Sequence, residues 1–103
     1  MNAVTFGKMT RWDEHGNALQ DIVRNGRRVG VIEKTTRNAG SILCPQWVAE
    51  SYTVIFFNPH HDILDAVFDV ECDRYGQPVR GAARGAGAKA KAHARYALAQ
   101  VQA

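Results

Sequence analysis

SYTVIFFNPHHDILDAVFDVEC, residues Ser51–Cys72, decides the fold. Ser51–Phe57 is β-branched and aromatic throughout, as strands are. Asn58-Pro59-His60-His61-Asp62 reads as a turn, because Pro lacks a ladder donor and Asn and Asp suit turns. Ile63–Cys72 then alternates. Leu64, Ala66, Phe68, Val70 and Cys72 point one way, while Asp65, Asp69 and Glu71 point the other, with Ile63 and Val67 among them. Period-2 patterning of this kind marks a strand with one buried and one wet face. The stretch therefore predicts a β-hairpin in the middle of a sheet, with the rest of the chain covering its apolar side.

A second hairpin precedes it. Leu19–Arg24 and Arg27–Thr35 flank Asn25-Gly26, the dipeptide that suits a type I′ turn with φ > 0 at both central residues. A two-residue loop sets Arg24 opposite Arg27, Val23 opposite Arg28, Ile22 opposite Val29 and Leu19 opposite Ile32. Ile22, Val29 and Val31 then form the inner face. Leu19, Val23 and Ile32 form a second apolar face that a homodimer would bury. Gly30 inside the strand predicts a bulge or a close backbone approach. Val4–Trp12 reads as a first strand, ended by the turn cluster Asp13–Asn17. In Thr36–Ala49, the apolar run Ile42–Val48 is broken by Pro45. This segment either lays Trp47 over the core or stands out as a recognition loop, with packing the favoured reading.

Asp73–Pro78 is a turn, and Ala82–Gln102 reads as a helix rich in Ala, Lys and Arg. Gly81, Gly85 and Gly87 weaken its start, which places the firm part from Ala88. Ala83, Gly87, Ala90, Ala94, Leu98 and Val101 form one stripe at helical spacing, with Arg84, Lys91 and Arg95 on its flank. The order β–β–β–β–β–α predicts a two-layer α+β domain: an antiparallel sheet of four to five strands with one C-terminal helix packed on one face. At 103 residues the chain is one domain.

Composition excludes more than it assigns. No apolar run approaches the roughly 20 residues of a membrane span. The start MNAVTFGKMTRWDEHG shows neither a basic leader nor a long apolar core, so a cytoplasmic protein is expected. In that setting Cys44 and Cys72 are reduced thiols. His60 and His61 are adjacent rather than at chelating spacing, and there is no CxxC, HExxH or HxH, so no metal or other cofactor is expected. Gly81–Gly87 (GAARGAG) lacks phosphate-loop spacing. Asp65, Asp69 and Glu71 form a wet acidic face rather than an acid–base pair, and nothing points to an enzyme.

The net charge of +3 is unevenly distributed. Residues 1–73 hold seven Lys/Arg and ten Asp/Glu, a net of −3, while residues 74–103 hold six Lys/Arg and no acid, a net of +6. Two binding classes follow. A β-ribbon with Arg24, Arg27 and Arg28 at its tip, together with Lys91 and Arg95 on the helix, suits nucleic acid. Arg24 facing Arg27 costs about a few tenths of a kcal/mol that an anionic partner removes. Gly85–Lys91 resembles the basic helix start of the double-stranded RNA-binding domain, although that family's serine before paired lysines and its N-terminal helix have no counterpart. The other class is a protein-binding inhibitor or adaptor. In size, in the sheet of residues 19–72 and in the Ala-rich helix of 82–102, the chain resembles the small proteins that phages and mobile elements direct against host defences, such as anti-CRISPR proteins. That resemblance implies a protein partner, a host nuclease complex blocked at its nucleic-acid channel or partner site. Asp62, Asp65, Asp69, Glu71 and Asp73 would mimic phosphates there, or the Arg24–Arg28 tip would dock on an acidic surface. The protein-binding class is the leading expectation, for a monomer or homodimer.

Overall fold

The computed structural model describes residues 3–101, apart from the side chains of Pro59 and Asp62. Gln102, the last residue of the expected helix, and the Asp62 carboxylate fall outside the described residues. The fold is α+β. Strands β1 (Val4–Phe6), β2 (Thr10–Arg11), β3 (Ala18–Arg24), β4 (Arg27–Asn38), β5 (Trp47–Phe56) and β6 (Ala66–Asp69) precede helix α1 (Ala82–Ala99). The sheet is antiparallel in the order β1-β3-β4-β5-β6, with β2 also paired to β3. The expected first strand over Val4–Trp12 is two short strands on one edge of β3. Gly7-Lys8-Met9 separates them, and the Gly7 carbonyl accepts from the Gln20 side chain at 2.8 Å.

The Ser51–Cys72 hairpin is not the middle of the sheet. Its first strand is interior, but its second is an edge, and β4 is central. The turn closes as a 3-10 helix over Pro59–Leu64, so the edge strand begins at Ala66 rather than Ile63. The expected alternation survives: Leu64, Ala66, Phe68, Val70 and Cys72 are less exposed than Asp65, Val67, Asp69 and Glu71.

Asn25 and Gly26 have φ of 54° and 78°, as a type I′ turn requires, and Arg24 pairs with Arg27 and Val23 with Arg28. Beyond that the expected register fails. Ile22 pairs with Gly30 and Leu19 with Glu33, because Val29 is an extra residue in a β-bulge. One inserted residue reverses the alternation that follows. Ile32, assigned above to a second face, is therefore 1% exposed in the core, while Val31 points to the opposite side of the sheet. Gly30 fulfils both expectations for it. It adjoins the bulge, and a Cβ there would stand 2.3 Å from the Ile55 carbonyl oxygen. A second bulge, at Glu50, interrupts the β4–β5 ladder between Thr35 and Thr36.

Ile22, Ile32, Val54 and Phe56 form the sheet side of the core. Helix α1 covers them with Ala90, Ala94, Ala97 and Leu98. Alanine faces let the helix lie close, and a Cβ on Gly87 would stand 3.6 Å from the Tyr52 ring. Burial raises the Tyr52 phenol above its ordinary 10.0. The helix already starts at Ala82, after Gly81 at φ 81°, and its buried stripe includes Ala86 and Ala97 in place of Ala83 and Val101. His93 Nε2 donates to the Leu64 carbonyl at 2.6 Å, tying α1 to the 3-10 helix. Among the described residues, the other side of the sheet, with Leu19, Val23, Val31, Ile55 and Val67, carries no helix.

Candidate partner-binding surfaces

The arginines of the β3–β4 tip sit in three different environments. Arg24 lies on the inner face and is only 6% exposed. Its NH2 donates to the Val101 carbonyl at 2.7 Å, just past the C-terminus of α1, where a cation also complements the helix dipole. The three arginines expected together at the ribbon tip are thus a buried anchor plus two surface residues. Arg28 pairs with Asp21 at 2.9 Å and lies over the Phe57 ring, 5.1 Å from its centroid. Both partners are well exposed, so the pair contributes at most about 1 kcal/mol. Arg27 is exposed at the turn.

Lys91 and Arg95 are drawn back onto the fold. They lie 5.8 and 4.9 Å from the centroid of Phe6 and shield β1 from water. Asp65, Asp69 and Glu71 are all exposed along the β6 edge. Asp65 has an internal duty as well, since its Oδ1 accepts the Phe56 N–H at 2.9 Å. Asp69 stands opposite Ser51 on the side of the sheet away from α1.

Sequence reasoning misplaced the segment around Trp47. Trp47 does not lie over the core. Strands β4 and β5 continue past the sheet as a two-stranded arm, closed by the loop 39–46. Two strands alone bury little, so the arm is held by polar contacts. Asn38 Oδ1 accepts from the Gly40 and Gln46 N–H groups at 2.8 and 2.9 Å. Ser41 N–H donates to the Cys44 carbonyl, and Cys44 N–H donates back to Ser41 Oγ at 2.9 Å. Gly40 permits this closure, because a Cβ there would meet the Cys44 oxygen at 2.3 Å.

At the arm's base, His15 stacks on Trp47 with centroids 3.8 Å apart. Arg37 donates to the Gly76 carbonyl and to Cys72 Sγ. Asn17 Oδ1 accepts the Thr36 N–H at 2.7 Å. The loop that carries His15 is itself clasped by Asp13, which accepts from the His15 and Asn17 N–H groups and from the Asn17 side chain. Partial burial works to raise the Asp13 pKa, but those hydrogen bonds and the His15 charge outweigh it and hold the carboxyl below its ordinary 3.8.

On the loop 39–46 Ile42 and Leu43 are 96% and 92% exposed, and elsewhere Trp12 and Trp47 are exposed as well. Apolar character was legible in the sequence; that it faces water was not. No family model matches the chain, and no curated protein or solved structure matches it.

At the opposite end of β4, a half-open cleft of about 620 Å³ lies between the β3–β4 tip, the end of β5 and the last turn of α1. Arg24, Arg27 and Arg28 line it together with Val29, Phe56, Phe57, His61 and Leu98. Among the described residues no cluster of three His, Cys, Asp or Glu side chains is placed to hold a metal ion, and no helix is long and apolar enough to cross a membrane.

Proposed function

We propose that this protein acts by binding another protein, as a small non-enzymatic inhibitor or adaptor, and that the β4–β5 arm is its principal contact. The observation that carries this reading is the exposure of Ile42 and Leu43 on a hydrogen-bonded tip. Covering an Ile or Leu side chain that is otherwise in water stabilises by about 1.5–3 kcal/mol. The fold itself forgoes that gain, so a partner surface collects it. The tip is ordered in advance by Asn38, Gly40 and Ser41, which lowers the entropy lost on docking. The Trp47–His15 stack lies at the base of the arm, and aromatic anchors are enriched in protein interfaces.

The resemblance to anti-CRISPR proteins suggests a host defence nuclease complex as the class of target. In that setting the exposed row Asp65, Asp69 and Glu71 would face a basic nucleic-acid channel, beside the contact made by the arm. The nucleic-acid reading draws less support. Arg24 is buried, Arg28 is paired with Asp21, and Lys91 and Arg95 lie over Phe6.

The test compares the wild-type chain with Ile42→Ser/Leu43→Ser as bait in an extract of the producing cell and its hosts. A protein retained by the wild type and lost with the double variant is the expected result. Alongside it, labelled duplex DNA, duplex RNA and single strands are titrated against salt. Tight binding that falls steeply with salt and weakens in Arg27→Ala would replace this reading with the nucleic-acid one.

A further inference from the structure

We propose that the cleft at the β3–β4 tip is a binding site for a small amphiphilic anion: an aliphatic or aryl body carrying one carboxylate or phosphate head. The site is separate from the arm and stands on its own observations. Its volume of about 620 Å³ falls in the range of small-molecule sites, roughly 300–1,000 Å³. Its chemistry is divided in two. Val29, Phe56, Phe57 and Leu98 supply apolar wall, while Arg24, Arg27 and Arg28 supply cationic donors. None of the described lining residues is acidic.

Arg24 shows that the charge was not placed there for the fold alone. It is 94% buried by its 6% exposure, and its Nε has no hydrogen-bond partner among the described residues. Nη2 of the same guanidinium already donates to the Val101 carbonyl. A buried donor without a partner is costly, and native structures seldom leave one unless something supplies the acceptor. A carboxylate or phosphate oxygen is such an acceptor, and guanidinium groups bind both in fork geometry. Arg28 is held by Asp21 and braced on Phe57, whereas Arg27 stands at the rim, so two arginines, Arg24 and Arg27, are left for one head group. The apolar walls set the other requirement. A bare inorganic anion leaves them wet, and a neutral apolar molecule leaves Arg24 Nε unpaired.

The experiment is isothermal titration of the full chain with four probes: octanoate, octyl phosphate, n-octanol and inorganic phosphate. Saturable one-to-one binding of octanoate or octyl phosphate with Kd of about 1 mM or tighter is expected. The better of the two identifies the head. Octanol and inorganic phosphate should bind at least about tenfold more weakly. Two variants locate the site. Val101→Trp fills the cleft while keeping the carbonyl that Arg24 uses, and Arg27→Gln removes the rim charge. Each should weaken the amphiphile by about tenfold or more, with thermal unfolding near that of the wild type. The proposal is overturned if neither amphiphile saturates, if octanol binds as well as octanoate, or if folded Arg27→Gln binds as the wild type does.

Discussion

Replacing Gly30 by Ala tests the packing of the sheet at its tightest point. The new Cβ would lie 2.3 Å from the Ile55 oxygen and 3.3 Å from both the Ile55 carbonyl carbon and the Phe56 Cα. Carbon–oxygen contacts between strands normally sit near 3.3–3.6 Å, so the overlap is roughly 1 Å. The obstructing atoms are backbone, and no rotamer change relieves them. Either β5 moves off β4, stretching the ladder at Val31–Ile55, or Gly30 itself is pushed toward the core. Overpacking of this kind costs about 1–3 kcal/mol, and the gain from a stiffer unfolded chain returns about 0.4–1. A net loss of about 1–2 kcal/mol lowers the thermal midpoint by roughly 4–16 °C in a domain of this size. Gly85→Ala is the control. A Cβ there meets nothing within 4 Å, and it lies in the helix, so the variant should gain about 0.5–1 kcal/mol. Both are read by circular dichroism on heating and by urea titration with an unchanged m-value. Gly30→Ala within about 0.5 kcal/mol of wild type, or Gly85→Ala the more damaging of the two, would refute the reasoning.

Leu98→Ala should cost about 2–5 kcal/mol, because the side chain is 2% exposed against Ile22 and Phe56, while Tyr96→Ala on the outer side of the same helix should stay within about 0.5; chemical denaturation separates them. Ile42→Ser/Leu43→Ser should likewise leave the urea midpoint within about 0.5 kcal/mol of wild type, since both side chains are already in water. Asp13 is held below its ordinary 3.8 in the folded state, so its contribution is fully present above that value and is lost as pH falls through the depressed folded one. Asp13→Asn should therefore be less stable than wild type at neutral pH, with the two curves converging in acid; denaturation midpoints against pH, with Trp47 fluorescence reporting the His15 stack, provide the readout.

Local signals were legible where local physics decides. Asn25-Gly26 announced its turn because few residues accept two positive φ angles, and Gly30 announced a crowded strand. The next residues show the limit. Val29-Gly30-Val31-Ile32 is apolar on both sides of the alternation, so the pattern fits either register, and only pairing with β3 reveals that Val29 is the extra residue. Arg24 was misread for a different reason. A charged residue beside a turn is normally wet, and its acceptor, the Val101 carbonyl, comes from 77 positions away. The helix face was blurred because Ala83, Ala86 and Ala97 are alike in hydrophobicity, so the stripe cannot be phased from them. For Ile42 and Leu43, apolar character in the sequence is the same whether the side chain enters a core or awaits a partner. The two proposed surfaces, the arm tip and the cleft, both depend on long-range placement.

Strand β4 runs for 12 residues from Arg27, at the lip of the cleft, to Asn38, beside the loop that closes the arm. At about 3.3 Å per residue its ends are roughly 36 Å apart. That is several times the Debye length of about 8 Å in physiological salt, so a charge bound at one end is not felt electrostatically at the other. The central strand is paired with both β3 and β5 over residues 30–34, and with β5 alone beyond Lys34. On the two proposals above, occupants of the two ends would be carried on one strand without electrostatic influence on each other. Substitutions at the two ends should add in free energy to within about 0.3–0.5 kcal/mol. On that reading the two proposed sites are held at a set separation, and changing one leaves the other untouched.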